Sequence, residues 1–169
     1  LGAYYGYAAV MRRLKALGVA EGPRPLEDFV EVREHDPNKP RNLALMLGVA
    51  SFVGVDYPEF DDPRVENTLT VEWLTPVKDW TAPRVVETGQ AGKPVLLMTM
   101  DSFSNAVLPF FYGHFSRIVL AHNQDGPWRE DLIERFRPDV VITEVVENGL
   151  PLVLNPAPPA SPEAHERIE

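Results

Sequence analysis

The sequence predicts an α/β fold with a parallel or mostly parallel sheet and flanking helices. The chain has 169 residues, 44% hydrophobic and 24% charged, within the usual range for one globular domain. Residues 95–100 form a continuous apolar run, which is typical of a strand buried on both faces. Beyond it, strand-length apolar runs alternate with helical periodicity, an order that favours parallel strands joined by right-handed crossovers.

The first third of the chain predicts one helix and a long connection. Apolar residues recur at helical spacing from residue 4, and Gly18 supplies a stop. Prolines bar regular structure over most of residues 20–42, which indicates a surface connection. The nearly apolar run 43–55 is shorter than the roughly 20 residues that span a bilayer, so it predicts a buried segment. A strand and a short helix both fit residues 41–52.

The middle of the chain predicts two strands and one loop. Residues 56–62 are acidic and broken by proline, as expected of a solvated loop. Residues 68–74 alternate in a way that suits a strand with one wet face, and Val85 and Val86 form a short strand beside it.

The second half predicts the β-α-β-α-β order and a tail. Its elements are strand 95–100, helix 105–112, strand 117–121, helix 128–136 and strand 140–145. The proline-rich residues 155–169 are expected to be disordered, and residues 1–154 to form the folded part.

Charge and composition exclude several classes of protein. Sixteen Lys and Arg against 25 Asp and Glu give a net charge of −9, which repels phosphate backbones and anionic lipid, so nucleic acid is not an expected partner. The absence of Cys excludes disulfides, thiolate metal sites, iron–sulfur clusters and a cysteine nucleophile. No His or acidic residues occur at metal-ligand spacing, so we expect no metal site.

Candidate site residues follow the predicted parallel strands, where ligand sites of such sheets lie. Ser102 stands between strand 95–100 and the next helix, where a hydroxyl would be presented beside backbone N–H groups as a nucleophile. The alternative is a helix cap, because residues of this type are favoured there. The possible capping residues are Asp101, Ser102, Ser104 and Asn105.

The other candidates also have two interpretations. His122 and Asn123 could line a pocket as proton acceptor and oxyanion donor, or belong to an ordinary polar loop. Glu144 and Glu147 could form an acid/base pair or be held by local hydrogen bonds. His114 is expected to close a helix as a cation.

Exposed aromatic rings could stack on sugars, although such rings are more often part of the core. The candidates are Trp73, Trp80, Tyr4, Tyr5 and Tyr57. Two further histidines, His35 and His165, are expected to be solvated.

Three segments carry a resemblance to a known family. Residues 94–104 read Pro-Val-Leu-Leu-Met-Thr-Met-Asp-Ser-Phe-Ser, and Leu-Pro-Phe at 108–110 and His-Phe at 114–115 follow. Residues 137–148 read Arg-Pro-Asp-Val-Val-Ile-Thr-Glu-Val-Val-Glu-Asn, and residues 2–7 read Gly-Ala-Tyr-Tyr-Gly-Tyr. Together they resemble SGNH-type O-acetyltransferases of the alginate acetylation kind (AlgX/AlgJ-like).

The resemblance implies a flavodoxin-like SGNH domain, of which this chain is the C-terminal portion. It implies O-acetyl transfer to or from a cell-envelope polysaccharide in the bacterial periplasm or envelope, with Ser102 as the acyl-carrying nucleophile. Acyl transfer of this kind needs no cofactor in the pocket, so the resemblance implies none. In that family the Asp and His of the triad precede the serine in an Asp-x-His block, here expected just before Leu1, so this segment alone is expected to be inactive. Met100 departs from the Gly that many related proteins have before Asp-Ser, which places the geometry of the turn in doubt.

Two other functions fit the same residues. An SGNH or GDSL-like esterase would use Ser102 and pass the acyl group to water. A polysaccharide-binding or assembly module would keep the fold without the triad, and Ser102 would then be only a helix cap.

Overall fold

A computed structural model describes residues 1–34, 47–49, 52, 57–65, 67–126 and 128–153. The helices are α1 (Gly2–Ala16), α2 (Leu108–Tyr112), α3 (Glu130–Phe136) and α4 (Leu150–Val153). The strands are β1 (Val30–Glu34), β2 (Tyr57–Asp61), β3 (Thr70–Trp73), β4 (Arg84–Glu87), β5 (Val95–Met100), β6 (Arg117–His122) and β7 (Val140–Thr143).

The main sheet has five strands in the order β3-β4-β6-β5-β7. β5 pairs in parallel with β6 and with β7, whereas β4 runs antiparallel to both β3 and β6. Because β3 and β6 both oppose β4, every strand except β4 points in the same direction. The predicted α/β fold is therefore confirmed, as a mixed sheet in which the predicted parallel strands β5, β6 and β7 lie together.

Both faces of β5 are covered. Leu96, Met98 and Met100 belong to a core on one face that includes buried residues of α1 and α2. Leu97 points to the other face, where a smaller cluster includes Leu132 of α3. Successive residues of a strand face opposite sides, so an apolar run without alternation is what a two-sided central strand requires.

Helix α1 packs on the first face together with α2. Tyr7, Ala8, Met11 and Leu14 are buried and lie at helical spacing along one side of the helix. The helix ends at Ala16, and Gly18 follows with a φ of +71°, a conformation that glycine adopts without strain. The predicted helix and its stop are confirmed.

Two segments predicted to lack regular structure contain strands. The expected connection 20–42 contains β1, and the expected loop 56–62 contains β2, which pair antiparallel from Val30↔Asp61 to Glu34↔Tyr57. Pro58 does not prevent this, because a two-stranded ladder consists of edge strands, where a proline can face away from the partner. Of the run expected to be buried, the described Leu47 and Phe52 are exposed, by 74% and 86%.

Some predicted elements have different bounds. The predicted helix 105–112 is a 3₁₀ segment (Ser102–Ala106) followed by α2, because Pro109 lacks the N–H that a continuous helix would need and instead lies in the first turn of a new one. Helix 128–136 begins at Glu130, strand 140–145 ends at Thr143, and strand 68–74 spans Thr70–Trp73. Residues 155–169 and His35 lie outside the described residues.

Candidate active site at the carboxyl ends of the parallel strands

A cavity of about 320 Å³ opens beyond the carboxyl ends of β5, β6 and β7. It is the location predicted for a ligand site in a sheet of this kind. Its lining residues are Trp80, Asp101, Ser102, Phe103, His122, Asn123, Gln124, Val145, Val146 and Gly149. Four of the predicted site residues, Asp101, Ser102, His122 and Asn123, are therefore brought together.

The turn after β5 is capped by Asp101. Its Oδ1 accepts a hydrogen bond from the Phe103 N–H at 2.8 Å, and its Oδ2 accepts one from the Val146 N–H at 2.9 Å. One carboxylate thus caps the 3₁₀ segment and ties the end of β5 to the segment after β7. The residue that caps this turn is Asp101 rather than Ser102.

The Ser102 hydroxyl takes no part in the hydrogen bonds that hold this turn. The residue is exposed, and its hydroxyl has no hydrogen-bond partner within the described part of the chain. Residues on either side of it are fixed. Asp101 is held by the contacts above, and Ser104, two positions further on, is buried and donates a hydrogen bond to Glu144. A free hydroxyl on an anchored turn can meet a ligand without first losing an internal hydrogen bond.

Glu144 supports this turn from the end of β7. Its Oε2 accepts a hydrogen bond from the Ser104 hydroxyl at 2.6 Å and a long one from the Asp101 N–H at 3.4 Å. Burial raises the pKa of the Glu144 carboxyl; the Ser104 hydrogen bond lowers it, and the nearby Asp101 carboxylate raises it. Glu144 is thus held locally by Ser104.

Two predicted site residues point elsewhere. Glu147 begins a 3₁₀ turn (Glu147–Gly149), is exposed and does not line the cavity with Ser102. Asn105 is also exposed and lies outside the cavity lining.

His122 is buried at the end of β6, with 4% of its surface exposed. Its Nδ1 accepts a hydrogen bond from the Gln124 N–H at 3.1 Å, which assigns the proton of the neutral ring to Nε2. Nε2 has no partner in the described part of the chain. In this arrangement His122 can donate a hydrogen bond but has no free lone pair with which to accept the Ser102 proton.

The Asn123 side chain links the ends of two strands of the main sheet. Its side-chain amide donates to the Glu144 carbonyl oxygen at 3.2 Å and so ties the end of β6 to that of β7. This hydrogen bond uses one of the two N–H groups of the amide nitrogen, and the oxyanion-donor role of the other stays a prediction.

His114 contradicts its predicted role as a helix-closing cation. It is 2% exposed, and its Nε2 lies 2.6 Å from the Tyr7 hydroxyl in the core between α1 and α2. Burial, aided by the nearby cations Lys93 and Arg24, lowers the pKa of His114 to about 4. The imidazole is therefore neutral at pH 7.

Among the aromatic candidates, Trp80 lines the cavity with Ser102. It is 52% exposed, and its ring meets that of His122 edge to face, at 4.7 Å between centroids and 83° between planes. Tyr4 instead packs against Tyr7 and Phe110 in the core. Sequence reasoning missed Phe103 and Gln124 as lining residues, although each directly follows a residue it had selected.

No metal centre is formed by the described residues, since no three of their His, Asp or Glu side chains come together to hold an ion. None of the helices described is long and apolar enough to cross a membrane.

Comparison with known proteins supports the fold through structure. No protein-family profile and no characterised relative matches the sequence. A DHHW family protein from Eubacterium siraeum is similar in structure, with a TM-score of 0.58 and 12% identity over 84% of this chain. Two structures of Bacillus cereus PatB1, one with a sulfonyl adduct, give TM-scores of 0.62 and 0.59 at 15% and 14% identity over 88% of this chain.

These similarities concern the fold. This chain shares with them an α/β architecture, here with a mixed five-stranded sheet. The chain spans 54% to 59% of the length of the three similar structures.

Proposed function

We propose that this chain is part of an O-acetyltransferase. The enzyme would move acetyl groups to or from a cell-envelope carbohydrate, with the acetyl group carried on Ser102 as an acyl-enzyme. The observation that carries the proposal is the exposed, unpaired Ser102 hydroxyl, which lines a cavity at the carboxyl ends of the parallel strands. The structural likeness to PatB1 supports an SGNH-like acetyltransferase kind at the level of the fold. One PatB1 structure carries a sulfonyl adduct, and sulfonyl reagents form such adducts with activated nucleophiles.

In the proposed reaction the Ser102 Oγ attacks the carbonyl carbon of an acetyl ester. The Oγ–C bond forms, the bond from that carbon to the leaving oxygen breaks, and the Ser102 proton passes through a base to the leaving oxygen. An acceptor hydroxyl then attacks the acetyl-serine, gives up its proton through the same base and restores the Ser102 hydroxyl. Water in place of the acceptor gives ester hydrolysis.

The base in this proposal comes from the family resemblance. Ser102 has no base within hydrogen-bonding distance in the described part of the chain, and the Nδ1 lone pair of His122 is engaged by Gln124. The resemblance supplies a His, oriented by an Asp, from an Asp-x-His element that precedes the helix matched by α1. The periplasmic or envelope location is part of the same proposal.

A specific observation favours one alternative. Because no base contacts Ser102 among the described residues, a carbohydrate-binding module of the same fold would need no change to this cavity. In such a module the cavity would bind ligand without turnover.

The test uses the protein expressed from its full open reading frame. We expect acetyl transfer from an activated acetyl ester to an oligosaccharide, measured by mass spectrometry, and expect Ser102→Ala to abolish it. Ser116→Ala is the matched control, because Ser116 lies just before β6 at the opposite end of the strands. Hydrolysis without transfer would identify an esterase, and undiminished transfer by Ser102→Ala would refute the role of Ser102.

A further inference from the structure

We infer that the Ser102 cavity selects an uncharged sugar and disfavours a uronate. The inference rests on the proposed function in that it names the carbohydrate class of the same cavity. It differs from what the alginate-type resemblance implies, because alginate is a polymer of uronates.

The charge of the cavity carries the first step. No Lys or Arg occurs among the ten lining residues that the structure describes, and Asp101 contributes a carboxylate. A second carboxyl group, that of Glu144, lies directly beneath the Ser102 turn, bonded to Ser104. The whole chain carries a net charge of −9. A sugar carboxylate placed here would meet like charge, with no Lys or Arg among the described lining residues to compensate it.

Two arginines outside the cavity lining already make contacts of their own. Arg129 pairs with Asp131 at 2.7 Å and with Asp125 at 3.6 Å. Arg84 lies over the Trp73 ring and donates to the Trp80 carbonyl oxygen at 3.3 Å. Arg129 is therefore neutralised by two carboxylates, and Arg84 lies outside the cavity lining, so neither supplies a cation within the cavity.

Exposed aromatic rings supply the attraction that charge does not. Trp80 and Phe103 are 52% and 64% exposed, and both line the cavity. The Trp80 turn is held by Asp79, whose Oδ1 accepts hydrogen bonds from the Thr81 N–H at 2.9 Å and the Ala82 N–H at 3.0 Å. A fixed aromatic face can pack against the C–H face of a neutral sugar ring at a small entropic cost.

The direct test is binding to the Ser102→Ala protein, expressed from its full open reading frame so that no turnover occurs. Oligomers of mannose, glucose and galactose are compared with the matching uronate oligomers by isothermal titration calorimetry at low salt. We expect at least one neutral oligomer to bind about tenfold or more tighter than its uronate, as expected for one uncompensated like charge. Uronates that bind as tightly as their neutral partners, or absence of binding by every neutral oligomer, would overturn the inference.

Substitutions at Gln124 test the effect of charge, and a substitution at Trp80 tests the aromatic contact. Gln124 is exposed in the cavity and its side chain makes no hydrogen bond among the described residues, so Gln124→Lys should raise uronate affinity several-fold, whereas Gln124→Met should not. Trp80→Ala should weaken neutral-sugar binding about tenfold. Val77→Ala, an exposed neighbour outside the cavity lining, should leave it unchanged.

Failure of the inference and failure of the proposed function give different results. Selective binding of a neutral sugar without acetyl transfer by the unmodified protein would refute the proposed function and retain the inference. Acetyl transfer to a uronate that is as efficient as transfer to the matching neutral sugar would support the proposed function and refute the inference about the sugar.

Discussion

Asp101 and Ser102 are adjacent in the chain, but the first is used by the fold and the second is not. Asp101 accepts hydrogen bonds from two backbone N–H groups, those of Phe103 and Val146. Ser102 is exposed and makes no hydrogen bond with the described residues. Stability and turnover should therefore depend on different members of this pair.

We predict that Asp101→Ala lowers the free energy of unfolding by about 1 to 2 kcal/mol, the usual cost of a lost helix cap. Ser102→Ala should change it by less than about 0.5 kcal/mol, as is usual for exposed positions. Urea unfolding of both variants measures the difference. An equal loss of stability in the two variants would show that Ser102 caps the turn after all.

His114 gives the protein a defined response to acid. The Arg24 N–H donates to the Tyr7 oxygen at 2.8 Å, and the Tyr7 oxygen lies 2.6 Å from His114 Nε2. Burial is the main cause of the lowered pKa of His114, about 4, because it disfavours the charged form of the ring.

We predict that the free energy of unfolding falls as the pH drops from about 6.5 to about 4, by up to about 3 kcal/mol from this residue. In that window the unfolded chain binds a proton that the folded chain excludes, and above it the residue contributes no pH dependence. His114→Gln should be less stable at pH 7 but should lack this part of the slope. Parallel pH profiles for the two proteins, measured by urea unfolding, would contradict the assignment.

At the scale of elements, Gly6 lies within α1 and Gly113 directly follows α2, and their surroundings differ. A Cβ on Gly6 of α1 would meet nothing within 4 Å. A Cβ on Gly113, at the end of α2, would lie 2.6 Å from Asp62 Oδ2 and 2.8 Å from Arg24 Nη1. Those two atoms form an ion pair whose Asp62 side chain is fully buried.

We predict opposite effects of the same substitution at these positions. Gly6→Ala should stabilise the protein by about 0.5 to 1 kcal/mol, because alanine is the better helix former. Gly113→Ala should cost about 3 kcal/mol, because it displaces one partner of a buried pair. Thermal unfolding of the two variants is the measurement, and a neutral Gly113→Ala would mean that the Arg24–Asp62 contact shifts freely.

The elements show which parts of the fold are predictable from the sequence. β5 and α1 are, because an unbroken apolar run and a helical spacing of apolar residues each specify how the element is buried. β1 and β2 are not, since Val30 and Val32 remain exposed and the pairing joins residues far apart in the chain. The burial of His114 was missed for the same reason, because it depends on Tyr7, 107 residues away.

At the scale of the whole molecule, the sheet order determines the site. β5 lies between β6 and β7, so the turns that follow these three parallel strands meet at one edge. The sequence predicted this meeting from the β-α-β-α-β order, and with it the grouping of Ser102, His122 and Asn123. It could not predict which side chains would be engaged there, because the hydrogen bonds of Asp101, Asn123 and His122 depend on how the three turns pack.

The most direct test of Ser102 as the nucleophile is covalent labelling with an aryl sulfonyl fluoride. The protein used is expressed from its full open reading frame. Intact-mass measurement and peptide mapping locate the adduct, with Ser116→Ala as the control. We predict one adduct, on Ser102. The Ser102→Ala variant should not be labelled, and the Ser116→Ala variant should be labelled like the unmodified protein. Absence of labelling, or labelling that persists in Ser102→Ala, would contradict the role of Ser102 as the nucleophile.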